Sequence, residues 1–132
     1  MEPPAEPRLI KTDPDPFEPF CIAQGYQVGN LIFLSGQAAL DLEGNVVGSA
    51  DFDLQAEQAL RNVQMLLDRA GSGLDKLIKV TIYLTDMKHF PKIVELRRKW
   101  FTPPYPADTI VEVRSLALPE LMIEIDAIAL AG

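Results

Sequence analysis

The feature that most constrains this chain is the alternation near its end. From Leu121 to Leu130, Leu121, Ile123, Ile125, Ala127 and Ala129 fall on one side of an extended strand, with Met122, Glu124, Asp126 and Ile128 on the other. One fully apolar side at a period of two requires a sheet packed on a core. Two carboxylates on the far side of so hydrophobic a strand need solvent, counter-charges or a function to hold them there. A second run, Thr109–Leu116, precedes it and is joined to it by a short turn at Leu118-Pro119-Glu120. There Val111 and Val113 share one side, opposite Asp108, Ile110, Glu112 and Arg114. The two runs read as strands whose charged sides, Asp108, Glu112, Arg114, Glu124 and Asp126, form one polar face, the functional side of the protein.

Upstream, more than half of the eleven prolines lie between Met1 and Pro19. Proline's fixed φ and missing donor disfavour regular structure, so residues 1–19 read as an extended arm and residues 20–132 as a single domain. Gly25–Asn30 reads as a turn or short hairpin and Leu31–Leu34 as a buried strand ending at Ser35-Gly36-Gln37. Asp53–Ala70 carries Ala56, Ala59, Leu60, Val63, Leu66, Leu67 and Ala70 at helical spacing, with Asp53 as N-cap and Gly71 as the left-handed C-cap. Leu77–Leu84 alternates as a strand, Val80, Ile82 and Leu84 on one side and Lys79, Thr81 and Tyr83 on the other. Phe90–Phe101 reads as a second helix burying Phe90, Ile93, Leu96 and Trp100, with Pro91 in its first turn. The order β-β-(β)-α-β-α-β-β defines an α+β fold, two helices on one face of a mixed sheet. The other face keeps apolar residues such as Ile110, Ile128 and Leu130, and a domain with no third layer covers such a face by oligomerising.

Composition narrows the function. A net charge of −7 opposes nucleic acid as a partner, because phosphate binding needs a basic patch. A single cysteine, Cys21, excludes an internal disulfide framework and fits a reducing compartment. No apolar run approaches the roughly 20 residues of a membrane span, and MEPPAEPRLI lacks the charged-then-apolar pattern of a signal peptide. With one histidine and one cysteine, no metal site of the usual kind assembles. A cytoplasmic protein without membrane or nucleic-acid partners is the expectation.

Six segments then add up to a family resemblance: GNLIFLSGQ (Gly29–Gln37), ALRNV (Ala59–Val63), Ala70-Gly71, KVTIYLTD (Lys79–Asp86), YPA (Tyr105–Ala107) and IEIDAIA (Ile123–Ala129). In order and at matching spacing from Phe20 to Leu130, they resemble the Rid family, the reactive intermediate deaminases also called RidA or YjgF-like proteins. The resemblance implies a chorismate-mutase-like α+β fold in a homotrimer with three inter-subunit clefts. It also implies hydrolysis of reactive imines and enamines to a keto acid and ammonia, with a small-molecule ligand and no cofactor.

Carried over position by position, the pocket departs from the pattern. The arginine that follows the Pro-Ala pair and holds the substrate carboxylate is Asp108 here, and the cysteine two residues later is Ile110. The tyrosine two residues before Gln24 is Ile22, and the asparagine of the second helix is Val94. Ser35, Gly36 and Gln37 match, as does Glu124, the acid that positions or activates water. Substrate contacts thus fall to Asp108, Ile110, Ser35, Gln37 and Ile22, with Glu124 catalytic. An unpaired Asp108 would repel a carboxylate at ~4 Å by a few kcal/mol, so the substrate is expected not to be the standard amino-acid-derived imine.

Each residue also has a plain structural role open to it. Glu124 is either a general acid/base or half of an ion pair with Arg114, and Asp108 either meets a ligand amine or hydroxyl or caps the strand start. Glu112, Arg114 and Asp126 read as inter-subunit salt bridges or solvated groups. Cys21 reads as a buried structural thiol, His89 as a surface residue, and Ser35 as a backbone-positioning residue without a histidine to activate it. Arg97-Arg98-Lys99 reads as a solvated helix end, with Arg97 or Arg98 reaching a neighbouring cleft as the alternative. Two functions follow: a Rid-type hydrolase acting on C–N bonds, or a non-catalytic trimeric binding or protein-interaction member of the family.

Overall fold

The computed structural model describes residues 6–132. Six strands, β1 (Arg8–Ile10), β2 (Gly25–Val28), β3 (Leu31–Ala38), β4 (Leu77–Leu84), β5 (Ala107–Glu112) and β6 (Ile123–Leu130), and two helices, α1 (Phe52–Arg69) and α2 (Phe90–Trp100), make up the body. The strands form one sheet in the order β1-β2-β3-β6-β4-β5. All neighbours are antiparallel except β4 and β5, which α2 links as a parallel crossover. The expected α+β sandwich, helices on one face of a mixed sheet, is the fold observed.

The apolar side of β6 explains its central place. Ile123, Ile125, Ala127 and Ala129 are buried between β3 and β4 and face α1, whose Ala59, Leu60, Val63, Leu66 and Leu67 are fully buried. Each such leucine removed from water contributes roughly 2 kcal/mol. The α1 N-cap is Asp51, two residues before the expected Asp53, and its carboxylate accepts from the Leu54 N–H at 3.1 Å. Gly71, at φ 74°, makes the left-handed exit as expected. In α2, Ile93 is fully buried while Phe90 lies exposed, contrary to the stripe read from spacing, because the helix is short and only one edge meets the sheet.

Two expectations are corrected here. The last two strands form no hairpin: β4 lies between them, and the loop after Glu112 carries the chain across it. Their charged sides therefore lie on opposite faces of the sheet. Asp108, Ile110 and Glu112 are in register with Val80, Ile82 and Leu84 and lie on the helix-covered face, where Ile110 packs against the core. Glu124 is in register with Tyr83, and Asp126 with Thr81, on the open face. Period-two patterning fixes which residues share a side within a strand, but not which sides of two strands coincide.

The N-terminal segment is more ordered than its prolines suggest. Residues 1–5 of the expected arm lie outside the described residues. Arg8–Ile10 pairs with β2, and the buried Gln24 side chain accepts from the Thr12 N–H at 2.6 Å. This clamps the segment so that Phe17 and Phe20 lie over the end of β3. No helix among the described residues is long and apolar enough to cross a membrane.

Candidate functional site

The open face holds a cleft of about 500 Å3 where the N-terminal segment, β3, β6 and the loop before β6 converge. Phe17, Phe20, Ile22, Leu118 and Leu121 supply apolar walls, and Ser35, Gly36 and Glu124 lie along it. Its shape begins with a bulge in β3, where register with β6 shifts between Leu34 and Gln37. The Ser35 hydroxyl donates to the Ala23 carbonyl at 2.6 Å, and its N–H donates to the Gln24 carbonyl at 2.9 Å. Gln37, buried, donates to the Ser35 carbonyl at 3.0 Å. Ser35 and Gln37 thus hold the bulge, and only Ser35 of the two borders the cleft.

Gly36 matters for the space it leaves. A Cβ built there would lie 2.6 Å from Glu124 Cδ and 2.7 Å from its Oε2, so the carboxyl rests directly on the glycine backbone. Among the described residues this carboxylate accepts no hydrogen bond and forms no ion pair; Arg114, its expected partner, lies exposed with no ion pair. Burial pushes the Glu124 pKa up from 4.5, and the nearby Asp126 charge pushes it the same way. Asp126 is itself occupied, accepting from the Tyr83 hydroxyl at 2.9 Å, which raises the tyrosine's pKa. A carboxyl without a hydrogen-bond partner and with a raised pKa, at the edge of an apolar cleft, is equipped to take and return a proton.

The remaining residues singled out in the sequence lie elsewhere. Asp108 Oδ2 accepts from Arg97 Nε at 2.9 Å under α2, and Ile110 packs beside it on the sheet's outer strand. Glu112 accepts from the Met87 N–H at 2.8 Å. His89 stacks on Phe52, ring centroids 4.0 Å apart, so it is half-buried rather than a plain surface residue, and desolvation lowers its pKa. Cys21 is exposed, in a left-handed conformation at φ 60° that ends a short 3-10 turn, and is not the buried thiol expected. No three of His, Cys, Asp and Glu gather among the described residues as metal ligands would.

Sequence reasoning misses Phe17, Phe20, Leu118 and Leu121 as cleft walls. The first two sit in a segment that reads as an unstructured arm, although aromatics beside Pro16 and Pro19 are a signal. It also misses Gln55, fully buried in α1, which donates to the Glu120 carbonyl at 2.7 Å and accepts from the Met122 N–H at 2.8 Å. That pair of bonds fixes the loop that carries the chain into β6 and so into Glu124.

The chain is thus a small two-layer α+β protein with a lone carboxylate over a glycine-containing β-bulge. A family model described as Endoribonuclease L-PSP matches residues 11–131. A RutC family protein of Pyrococcus horikoshii is 37% identical over 116 residues, covering 88% of this chain and 90% of its own. A 2-iminobutanoate/2-iminopropanoate deaminase of Dermatophagoides farinae is 30% identical over 92% of this chain and 94% of its own. The crystal structure of RidA from the Antarctic bacterium Psychrobacter sp. superposes with a TM-score of 0.85 at 31% identity, covering 93% of this chain and 98% of that one. The chain belongs to the endoribonuclease L-PSP family, whose members include the RidA/YjgF reactive intermediate deaminases.

Proposed function

We propose that this protein hydrolyses imines and enamines, releasing ammonia and a carbonyl product in the cytoplasm. The observation that carries the reading is Glu124, a carboxyl of raised pKa laid over Gly36 at the edge of an apolar cleft. Imino-acid deaminase activity is named for a relative of 30% identity over nearly the whole chain.

The chemistry needs one group that moves a proton twice. An enamine first accepts a proton at carbon to become the imine. Glu124 then takes a proton from water as the water oxygen bonds to the imine carbon, while the nitrogen enters protonated. The product is a tetrahedral carbinolamine. Glu124 returns its proton to nitrogen, the C–N bond breaks as ammonia leaves, and the ionised Glu124 takes up the hydroxyl proton to leave the carbonyl product. Phe17 and Leu121 line the same cleft as the carboxyl, whose partial burial raises its pKa.

A homotrimer belongs to the same reading. Leu9, Tyr26, Phe33 and Ile128 stand in register across four strands of the open face, and the first three are 48%, 41% and 42% exposed. An apolar row of this kind needs a cover, and a second copy supplies one. Assembly through that face would set the Glu124 cleft of one copy against the α2–β5 edge of the next. The decisive experiment generates 2-aminoacrylate and its homologues in situ and follows ammonia release, with Glu124→Ala as the control. Release no faster than in buffer would overturn the enzymatic reading and leave a binding module.

A further inference from the structure

We infer that Arg97, oriented by Asp108, is the residue that binds the substrate carboxylate, so that the positive charge enters the site from α2 and not from β5. The inference rests on the hydrolase reading and names the determinant of its substrate class. Arg97, Arg98, Val94 and Tyr105 line an open groove of about 300 Å3 at the edge of the sheet. Arg97 and Asp108 are the most enclosed ion pair of the described residues, their side chains 24% and 16% exposed. The contact uses only Nε of the guanidinium, and among the described residues its two Nη groups donate to nothing. Phe90 supports the guanidinium, its ring centroid 5.9 Å from the central carbon.

The result is a guanidinium fixed at one edge and open at the other. Such a fork accepts a carboxylate by two parallel hydrogen bonds, with most of the side-chain entropy already spent. Asp108 does not cancel the groove's attraction for anions, because Arg98 adds a second cation to the same wall. Its own Oδ1 is buried without a partner, so its negative charge is answered by Arg97 and is not presented to a ligand. Val94 and Tyr105 leave apolar surface for a short aliphatic chain. Asp108 lies on the helix face and Glu124 on the open face, so Arg97 and Glu124 can meet one substrate only across two copies of the chain.

The test compares pyruvate with methyl pyruvate, which has the same carbonyl but no charge, by ligand-observed NMR titration. The wild-type protein should bind pyruvate at least about tenfold more tightly. Arg97→Gln should abolish that preference. Arg97→Lys, which keeps the ion pair and so the fold, should retain only part of it. Asp108→Asn should weaken pyruvate severalfold by freeing the arginine, and Glu124→Gln should lose turnover yet keep the preference. A pyruvate preference that survives in folded Arg97→Gln, or that is absent from the wild type, overturns the inference. The two readings fail separately. An Arg97-dependent preference without ammonia release leaves the anchor standing and removes the hydrolase. Glu124-dependent release with an Arg97-independent preference does the reverse.

Discussion

Replacing Gly36 with alanine separates the placement of Glu124 from its chemistry. The added Cβ would sit 2.6 Å from Glu124 Cδ, 2.7 Å from Oε2 and 2.9 Å from Cγ. Ordinary contacts between heavy atoms lie near 3.5–4.0 Å, so the carboxyl must withdraw by about 1 Å. What moves is the end of a flexible side chain, so the change in folding stability should stay below about 1 kcal/mol. For catalysis, a displacement of about 1 Å costs on the order of 10²-fold in rate. The assay is kcat for ammonia release from an imine generated in situ, read beside thermal melting and the pH profile. The expected variant melts like the wild type, turns over about 10²-fold more slowly, and shows a Glu124 limb moved toward the ordinary value of 4.5 as the carboxyl reaches solvent. A kcat within about threefold of wild type, with melting unchanged, would refute the claim that the bulge positions the catalytic carboxyl.

Three further outcomes follow from the same geometry. Because the folded pKa of Glu124 is raised, its ionisation costs stability progressively as pH rises from the unfolded value through the folded one. Glu124→Gln should therefore melt higher than wild type at pH 7 and equally below about pH 4, by a margin that partial solvent screening keeps small, while kcat falls about 10²- to 10⁴-fold. Phe33→Asp places a charge in the middle of the exposed apolar row and should convert the proposed trimer into monomers in light scattering, with the fold retained by circular dichroism; a wild-type monomer would overturn the assembly, and variant trimers would move the interface elsewhere. Unfolding and refolding Glu124→Ala together with Arg97→Gln should restore activity at about a quarter of the clefts if, as proposed, each cleft of a cyclic trimer draws the two residues from different copies; no recovery would refute that sharing.

How far the sequence reaches depends on which physical signal each feature leaves. The helices and β4 are legible because a one-sided core forces apolar residues into the period of the element, as Leu60, Val63 and Leu67 show on α1. Glu124 is conspicuous for the opposite reason, a charge inside an otherwise apolar strand. Asp108 is conspicuous too, but its surroundings are not legible. Its pairing with Arg97 depends on the parallel crossover from β4 to β5, and no local pattern records that two runs separated by a turn are not neighbours in the sheet. The cleft walls escape for a related reason. Phe17 and Phe20 are placed by Gln24 and Thr12, a bond between segments whose partners look unremarkable in either one.

The Arg97–Asp108 pair changes what the substitution at position 108 means. Taken alone, an acid at the position where the family resemblance implies a cation should repel a carboxylate by about 4 kcal/mol at 4 Å in a partly buried site. That figure holds only while the acid is unpaired. With a guanidinium 2.9 Å away the pair presents little net charge, and Arg98 on the same wall leaves the groove positive. The aspartate then orients the cation. Residue 97 lies on the same helix edge as Val94, one turn further along, so both line one groove. An anchor on the helix, as proposed, would alter the direction from which the carboxylate is held, and with it the length of side chain that fits between anchor and carboxyl. If Arg97 is the anchor proposed above, the exclusion that position 108 suggests by itself gives way to a retained preference for a substrate carboxylate.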